Sequence, residues 1–215
     1  ALLIAAVRFY AVHDLAVPMW GDSYQHAMMA QLIVDNGGLF DSWEPYVPLQ
    51  TFTYHFGLHA NIALWSWLTR RQGLPVYRAT IWVGQILNVL AVLGLYPLAL
   101  KASRSRWTGV AAVWIAGLGL PMPMYYVNWG RYSQMIGQTI LPIAIWFTAE
   151  VVETQQRDPR RIVLATLSVA GLALTHYFVL AFYVLFLVPY LAFWVAGHWQ
   201  EGKRWREALL RVFII

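Results

Sequence analysis

Asp22 stands where a carboxylate could do chemistry. It lies in Met19-Trp-Gly-Asp-Ser-Tyr-Gln-His26, about four residues after an apolar run of about 18 residues, which is nearly enough to cross a membrane. Burial at such a membrane surface would raise the carboxyl pKa and make Asp22 a usable general base or metal ligand. The alternative interpretation is a helix N-cap, because an Asp at that place satisfies free backbone N–H groups. One carboxylate can serve both purposes.

Two pairs of polar residues repeat the same helical spacing. His26 follows Asp22 by four residues, and His59 follows His55 by four, so the members of each pair share a face of a helix. Two such pairs facing each other could hold a divalent cation. In the alternative interpretation the histidines only bind water or lipid headgroups at the interface. The chain contains no cysteine, so nothing favours zinc.

Arg131 is the one basic residue between Arg106 and Arg157, and it lies in the polar segment Asn128-Trp-Gly-Arg-Tyr-Ser-Gln134. Near the start of a helix, a guanidinium suits an anionic group, phosphate above all, through bidentate bonding. The alternative is an interfacial Arg that reaches lipid phosphate. The neighbouring polar residues Asn128, Ser133, Gln134 and Gln138 favour a solvated pocket.

His176 interrupts an apolar stretch of more than thirty residues. A polar residue within or at the edge of a membrane span is a candidate functional residue. A His at a tight external turn between two helices explains it almost as well.

The elements that position these residues are predicted to be membrane-spanning helices. Of 215 residues, 60% are hydrophobic and only 12% charged, and the mean hydropathy is +0.52. This composition excludes a soluble globular fold and predicts an all-α polytopic membrane protein. The net charge of +5 does not imply a nucleic-acid partner, because Lys and Arg of membrane proteins collect on cytoplasmic loops. Spans are predicted at about 1–18, 76–100, 107–122, 135–151, 162–176 and 177–197.

Charge placement predicts the topology. No Lys or Arg occurs from Phe9 to Thr69 although five acidic residues do, whereas the turns at 101–106, 157–161 and 203–206 are basic. The positive-inside rule therefore places the first loop, about 19–75, on the non-cytoplasmic side. We expect a surface helix over 22–34, capped at Gly21-Asp22 and stopped at Gly37-Gly38. The weakly apolar segment 52–69 is expected to lie in the outer interface, although Arg70 and Arg71 argue for a span.

The chain begins and ends inside apolar runs. We therefore expect a single transmembrane domain, 1–215, that belongs to a longer protein.

The order of these features resembles the N-terminal half of a GT-C superfamily membrane glycosyltransferase. That superfamily includes the oligosaccharyltransferase catalytic subunits and the polyprenyl-phosphate-sugar-dependent mannosyl- and arabinosyltransferases. The shared layout is a first span followed by an Asp, an external loop with a surface helix and a Tyr-x-Phe-Gly segment, a basic turn, a short helix ending in Pro, and an external polar motif. The resemblance runs from about Ala1 to Trp199.

The resemblance implies a GT-C-like module that transfers a sugar from a polyprenyl-phosphate-linked donor. The acceptor would be a glycan or a protein at the external face of a plasma membrane, most simply that of a prokaryote. Asp22 would be the catalytic carboxylate, assisted by His26. Arg131, with Asn128, Tyr132 and Gln134, would hold the phosphate. The resemblance also implies that three further histidines line the cleft: His55, His59 and His176.

A divalent cation, Mg²⁺ or Mn²⁺, is the cofactor that such a site would take. The family often supplies further acidic residues from the second external loop, but no Asp or Glu occurs between Pro45 and Ala149. This departure favours a metal-independent mechanism. The competing class is a non-enzymatic transporter or structural membrane subunit, which commonly shows an internal repeat; the sequence shows none.

Overall fold

The computed structural model describes residues 1–50, 54–69, 73–154 and 158–215, without the side chains of 202 and 203. The described residues form helices and no strands, which confirms the all-α prediction. The α-helices are α1 (Leu2–Tyr10), α2 (Gly21–Asn36), α3 (Gly57–Thr69), α4 (Val76–Leu93), α5 (Leu95–Ser103), α6 (Arg106–Trp114), α7 (Tyr132–Glu153), α8 (Pro159–Thr175), α9 (Tyr177–Gly197) and α10 (Gly202–Val212). A π-helix, Ile115–Gly119, and a 3₁₀-helix, Met124–Trp129, connect α6 to α7.

Three described helices are long and apolar enough to cross a membrane. They are the continuous α4–α5 rod Val76–Ser103, then Tyr132–Glu153 and Tyr177–Gly197. They match three of the predicted spans and agree with a membrane protein. At 17 residues, α8 measures about 25 Å at 1.5 Å per residue, slightly short of the ~30 Å hydrocarbon core.

The predicted spans at 1–18 and 107–122 are wrong as single helices. The first helix ends at Tyr10, and the chain then turns through residues 11–14, where His13 Nε2 lies 3.2 Å from Asp14 Oδ2. The other stretch is α-helical only to Trp114 and π-helical to Gly119. Prolines at 121 and 123 follow, and a proline cannot donate the hydrogen bond that would continue the helix.

The first loop carries two short helices. The prediction of a helix over 22–34 is confirmed by α2, which ends at Gly37 in the left-handed conformation, φ 67°. The second helix, α3, has 13 residues, or about 20 Å at 1.5 Å per residue, and packs against α2 and α4. Arg70, Arg71 and residues 51–53 lie outside the described part of the chain.

α4 and α7 run in the same direction. The Tyr132 ring, at the start of α7, packs on Gly84 in the middle of α4, and further along the Thr139 hydroxyl donates to the Leu87 carbonyl at 3.2 Å. At the far end, Lys101 Nζ lies 2.6 Å from Glu150 Oε1 and 2.8 Å from Glu153 Oε2. The start of α7 is thus separated from the charged end by the length of the helix, about 33 Å at 1.5 Å per residue.

The charged end joins five helices through polar contacts. Besides the Lys101 contacts, Arg161 Nη1 donates to Glu150 Oε2 at 2.8 Å, Tyr190 Oη donates to Glu153 at 3.1 Å, and Arg211 of α10 donates to the Thr154 carbonyl. Two of the basic turns predicted to be cytoplasmic, 101–106 and 157–161, therefore meet at one end of the bundle as far as they are described. The helix α10, whose first residues belong to the third basic turn, packs against α7.

A methyl group on Gly84 is expected to destabilise the protein. A Cβ there would lie 2.1 Å from Cε1 of Tyr132, whose side chain is fully buried, so Gly84→Ala forces the start of α7 away from α4. Overpacking of this kind costs about 1–3 kcal/mol. Thermal melts of the purified protein should show a lower midpoint. Gly197→Ala is the control, because no described atom beyond its chain neighbours and the backbone of its own helix lies within 4 Å of its Cβ; equal midpoints for both variants would contradict the packing argument.

Candidate active site

Asp22 and Arg131 meet although they are far apart in sequence. Asp22 is the second residue of α2, and Arg131 stands between the 3₁₀-helix and α7. Arg131 Nη1 lies 3.6 Å from Asp22 Oδ2, with the side chains 53% and 47% exposed. The pair is too long for a hydrogen bond and too exposed to be strong. Both groups therefore remain open to a ligand.

The structure corrects the expected cap of α2. Asp22 lies inside the first turn, the N-cap residue is Trp20, and no side chain makes a capping hydrogen bond. Trp20 adopts φ 72° and ψ 153°, a region that is essentially restricted to glycine and costs about 1–3 kcal/mol for other residues. The carboxylate of Asp22 is consequently not used to cap the helix.

Gly130 allows the Arg131 turn to approach α2 closely. Its φ is +65°, and a Cβ there would lie 2.7 Å from the Ser23 backbone nitrogen and 3.0 Å from the Asp22 Cβ. Only glycine tolerates both the left-handed backbone and this contact. The sequence Gly130-Arg131 thus places a guanidinium against the start of α2.

His26 is a bridge between the Gly130 turn and α3. Its Nδ1 lies 2.9 Å from Nε2 of the fully buried His59, and its ring also hydrogen-bonds the Gly130 backbone. Burial lowers the pKa of His26 to about 4, against an opposing effect of Asp22, so the ring is neutral at pH 7. A neutral imidazole carries one N–H, and each ring also faces a backbone group, Gly130 for His26 and His55 for His59. One ring donates to the other, and the contact holds the Gly130 turn against α3 in either direction.

His55 and His176 form a second histidine contact. Their ring centroids are 5.0 Å apart, and Tyr54 stacks on His55 at 4.0 Å. His55 is 7% exposed and neither ring nitrogen has a partner among the described residues; burial lowers its pKa to about 4. His176 also occupies the turn between α8 and α9, where its Nδ1 accepts from the Val179 N–H at 3.4 Å. His176 thus lies both at the candidate site and in the turn between two helices, as the two interpretations predicted.

A pocket of about 210 Å³ opens between these segments. Four predicted site residues line it, namely Asp22, His26, Arg131 and His176. Ser133, one of the polar neighbours of Arg131 that favour a pocket, lines it too. The sequence reasoning missed the others: Gln25, Met29, Trp43, Tyr54 and Gly130. Gln25, Tyr54 and Gly130 adjoin predicted residues, but nothing in the sequence shows which neighbour of a candidate turns inward.

The remaining predicted binding residues do not line the pocket. Tyr132 and His59 lie behind it and are fully buried, and His55 is packed beneath Tyr54. Asn128 is exposed on the 3₁₀-helix, and Gln134 lies 3.5 Å from the Tyr126 hydroxyl. These five residues support the pocket or stand outside it. Tyr132 does so because, as the first residue of α7, it packs its ring on Gly84.

The model of a family of unknown function, DUF6541, matches residues 1–215. The chain belongs to this family. No curated protein matches it. The assignment to DUF6541 leaves the activity to be argued from the site itself.

The expected cation site is not formed by the protein side chains alone. Within the described part of this DUF6541 member, no group of three or more His, Cys, Asp or Glu side chains is placed to hold a metal. The histidines do meet, but as the ring contacts described above, and Asp22 is the sole carboxylate among the described pocket residues. A divalent cation at Asp22 would need oxygen ligands from a bound phosphate.

Removal of the His59 ring is expected to loosen the Gly130 turn. His59→Leu leaves His26 Nδ1 buried without a hydrogen-bond partner, which costs about 1–3 kcal/mol. His59→Gln retains an amide that can donate or accept near the position of Nε2 and should lose less. Thermal melts of the two variants measure the difference; a Gln variant no more stable than the Leu variant would contradict the contribution of this hydrogen bond.

The buried histidines predict that stability falls in acid. The folded pKa values of His26 and His55 are about 4, whereas the ordinary value is 6.5. Between these pH values the unfolded chain binds protons that the folded chain does not, so the free energy of unfolding decreases as pH falls from 6.5 toward 4. The slope is at most about 1.4 kcal/mol per pH unit for each histidine. Melts at pH 7.5, 6 and 5 test this, and His55→Phe should show a shallower dependence than wild type; an identical profile would refute it.

Proposed function

We propose that this protein is a glycosyltransferase of GT-C type that uses a polyprenyl-phosphate-linked sugar. The observation that carries the proposal is the convergence of one carboxylate, Asp22, and one guanidinium, Arg131, at the mouth of one pocket. Glycosyl transfer from a lipid phosphate needs these two functions together. A base must accept the proton of the acceptor hydroxyl, and a cation must stabilise the phosphate that leaves.

The reaction is an inverting displacement. The acceptor oxygen attacks the anomeric carbon and forms the new glycosidic bond, while the bond from that carbon to the phosphate oxygen breaks. Asp22 accepts the hydroxyl proton, and the phosphate departs with the electron pair of the broken bond toward Arg131. Because the Asp22–Arg131 pair is loose at 3.6 Å, an entering phosphate replaces the carboxylate as the partner of the guanidinium and leaves Asp22 free as a base.

The neighbouring histidines would act through position. His26 and His59 fix the Gly130 turn and hence Arg131, and His176 and Tyr54 contribute to the wall of the pocket. A Mg²⁺ or Mn²⁺ ion would add charge to the phosphate if the donor supplied most of its ligands.

The location of the pocket supports a non-cytoplasmic site. The pocket lies by the start of α7, whereas the described basic turns meet at the opposite end of that helix. Under the positive-inside rule the basic end is cytoplasmic, so the pocket faces outward, where a lipid-linked donor and a cell-envelope glycan or protein acceptor would meet. The plasma membrane of a prokaryote fits this arrangement.

The test is transfer of radiolabelled sugar by membranes that express the full-length protein. The panel contains polyprenyl-phosphate mannose, arabinose and glucose, with nucleotide sugars as the comparison and membranes without the protein as the blank. We expect transfer from at least one lipid-linked donor and none from nucleotide sugars. Addition of EDTA separates a metal-dependent reaction from a metal-independent one. Uptake of the donor into sealed vesicles without product would instead identify a transporter.

A further inference from the structure

A second cavity lies between α1 and α4 on the side wall of the bundle. It encloses about 290 Å³ and is lined by Phe9, Val12, His13, Leu15, Arg78, Ile81 and Trp82. None of these residues lines the pocket at Asp22. The proposed transfer reaction does not use this cavity.

The polar and apolar residues of the cavity are sorted by depth. Arg78 is in the first turn of α4 and His13 follows the end of α1, so these two stand at the outer rim. Ile81 and Trp82 lie about one turn deeper on α4, and the Phe9 ring contacts the Trp82 ring at 5.6 Å. The cavity thus has one guanidinium at its rim and an apolar floor, the same order as the headgroup and acyl chains of a lipid in the adjacent leaflet.

Arg78 retains unused hydrogen-bonding capacity. One nitrogen, Nη1, donates to the Leu15 carbonyl at 3.1 Å, and a guanidinium has five N–H groups in all. No ion pair among the described residues includes Arg78. The nearby Asp14 carboxylate is engaged with His13 at 3.2 Å and points to solvent, its side chain 87% exposed.

We propose that this cavity binds an anionic phospholipid of the surrounding bilayer, with its phosphate on Arg78 and one acyl chain along Phe9, Ile81 and Trp82. A guanidinium binds phosphate through charge-assisted bonds, and a net anionic headgroup brings no cation to compete with Arg78. The indole of Trp82 is 46% exposed, so a chain reaches the floor directly from the membrane. The site is independent of the proposed glycosyl transfer.

The test uses full-length protein in nanodiscs that contain trace phosphatidylglycerol with a photoreactive acyl chain. Peptide mapping should place the adducts on 9–15 and 78–82. Photoreactive phosphatidylcholine should label these peptides weakly. Arg78→Gln should reduce labelling about tenfold, as expected for the loss of one charge-assisted hydrogen bond, and Arg78→Lys should retain part of it. Arg106→Gln, an exposed residue at the opposite end, is the matched control and should label as wild type.

Three outcomes would overturn the proposal. One is adducts spread evenly around the bundle, one is equal labelling by phosphatidylcholine, and the third is undiminished labelling of Arg78→Gln. Loss of glycosyl transfer in any variant does not bear on the result, because the readout is the adduct and not the product. Labelling at 78–82 in a protein without transferase activity would support the lipid site and refute only the proposed function.

Discussion

Asp22→Asn is expected to lower sugar transfer by about 10²–10⁴-fold, the usual contribution of a general base. The amide is nearly isosteric with the carboxylate but cannot accept the hydroxyl proton. Because Asp22 makes no capping bond and only a loose contact with Arg131, the substitution should leave folding almost unchanged. The measurement is the initial rate of transfer by membranes with matched protein abundance, together with the melting midpoint of the purified variant.

The matched control is Asp35→Asn, on the same helix as Asp22. Asp35 accepts a hydrogen bond from Gln31 at 2.7 Å on the exposed surface and does not line the pocket, so its variant should transfer at the wild-type rate. Full activity of Asp22→Asn would remove the base from the mechanism. Loss of activity in both variants would point to the charge of α2 rather than to a specific carboxylate.

Arg131→Gln is expected to lower the turnover rate by about 10²–10³-fold, which is typical for the removal of one group that stabilises the charge developing in a transition state. The phosphate leaving group would lose the only cation among the described pocket residues. Arg131→Lys should recover part of the rate, because an ammonium supplies charge without bidentate geometry. Rates at saturating donor separate this effect from weaker donor binding.

Arg78→Gln is the control for Arg131, since it removes a guanidinium from the same end of the bundle but outside the pocket. The Arg78→Gln variant should transfer sugar at the wild-type rate. An Arg131→Gln variant with unchanged turnover but a raised KM would make Arg131 a binding residue only. Unchanged values of both constants would leave the interfacial interpretation of Arg131, contact with membrane lipid, as the better one.

Hydropathy predicted the long helices, and a helix-terminating glycine predicted the end of α2. The spans at 76–100, 135–151 and 177–197 are apolar enough that no other element fits, and Gly37 ended α2 where the sequence indicated. Hydropathy failed at 1–18, because an apolar window does not register that the backbone turns at residues 11–14. It failed at 107–122 because hydropathy does not register the π-helix at Ile115–Gly119 or the prolines at 121 and 123 that stop the helix.

The sequence predicted individual residues of the candidate site but not the contacts between them. Residue type identified Asp22 and Arg131, yet their contact depends on Gly130, whose left-handed φ and close approach to α2 arise from tertiary packing. For His59, the predicted position was wrong. Its spacing from His55 suggested a shared face toward a ligand, whereas the fold buries it completely behind His26. Sequence spacing gives the direction of a side chain along its own helix and not the element that covers it.

The ion pairs of Lys101, Glu150 and Arg161 lie at the end of the bundle remote from the pocket. The contacts that join the helices and the candidate site therefore lie at opposite ends of the bundle. Under the proposed function, we expect substitutions in the charged cluster to change the amount of folded protein and to leave the turnover rate of each folded molecule unchanged. Substitution of Gln25, an exposed residue of the pocket, would instead change which acceptor is preferred without lowering abundance. On this proposal, members of the family would diverge in substrate while they keep one membrane scaffold.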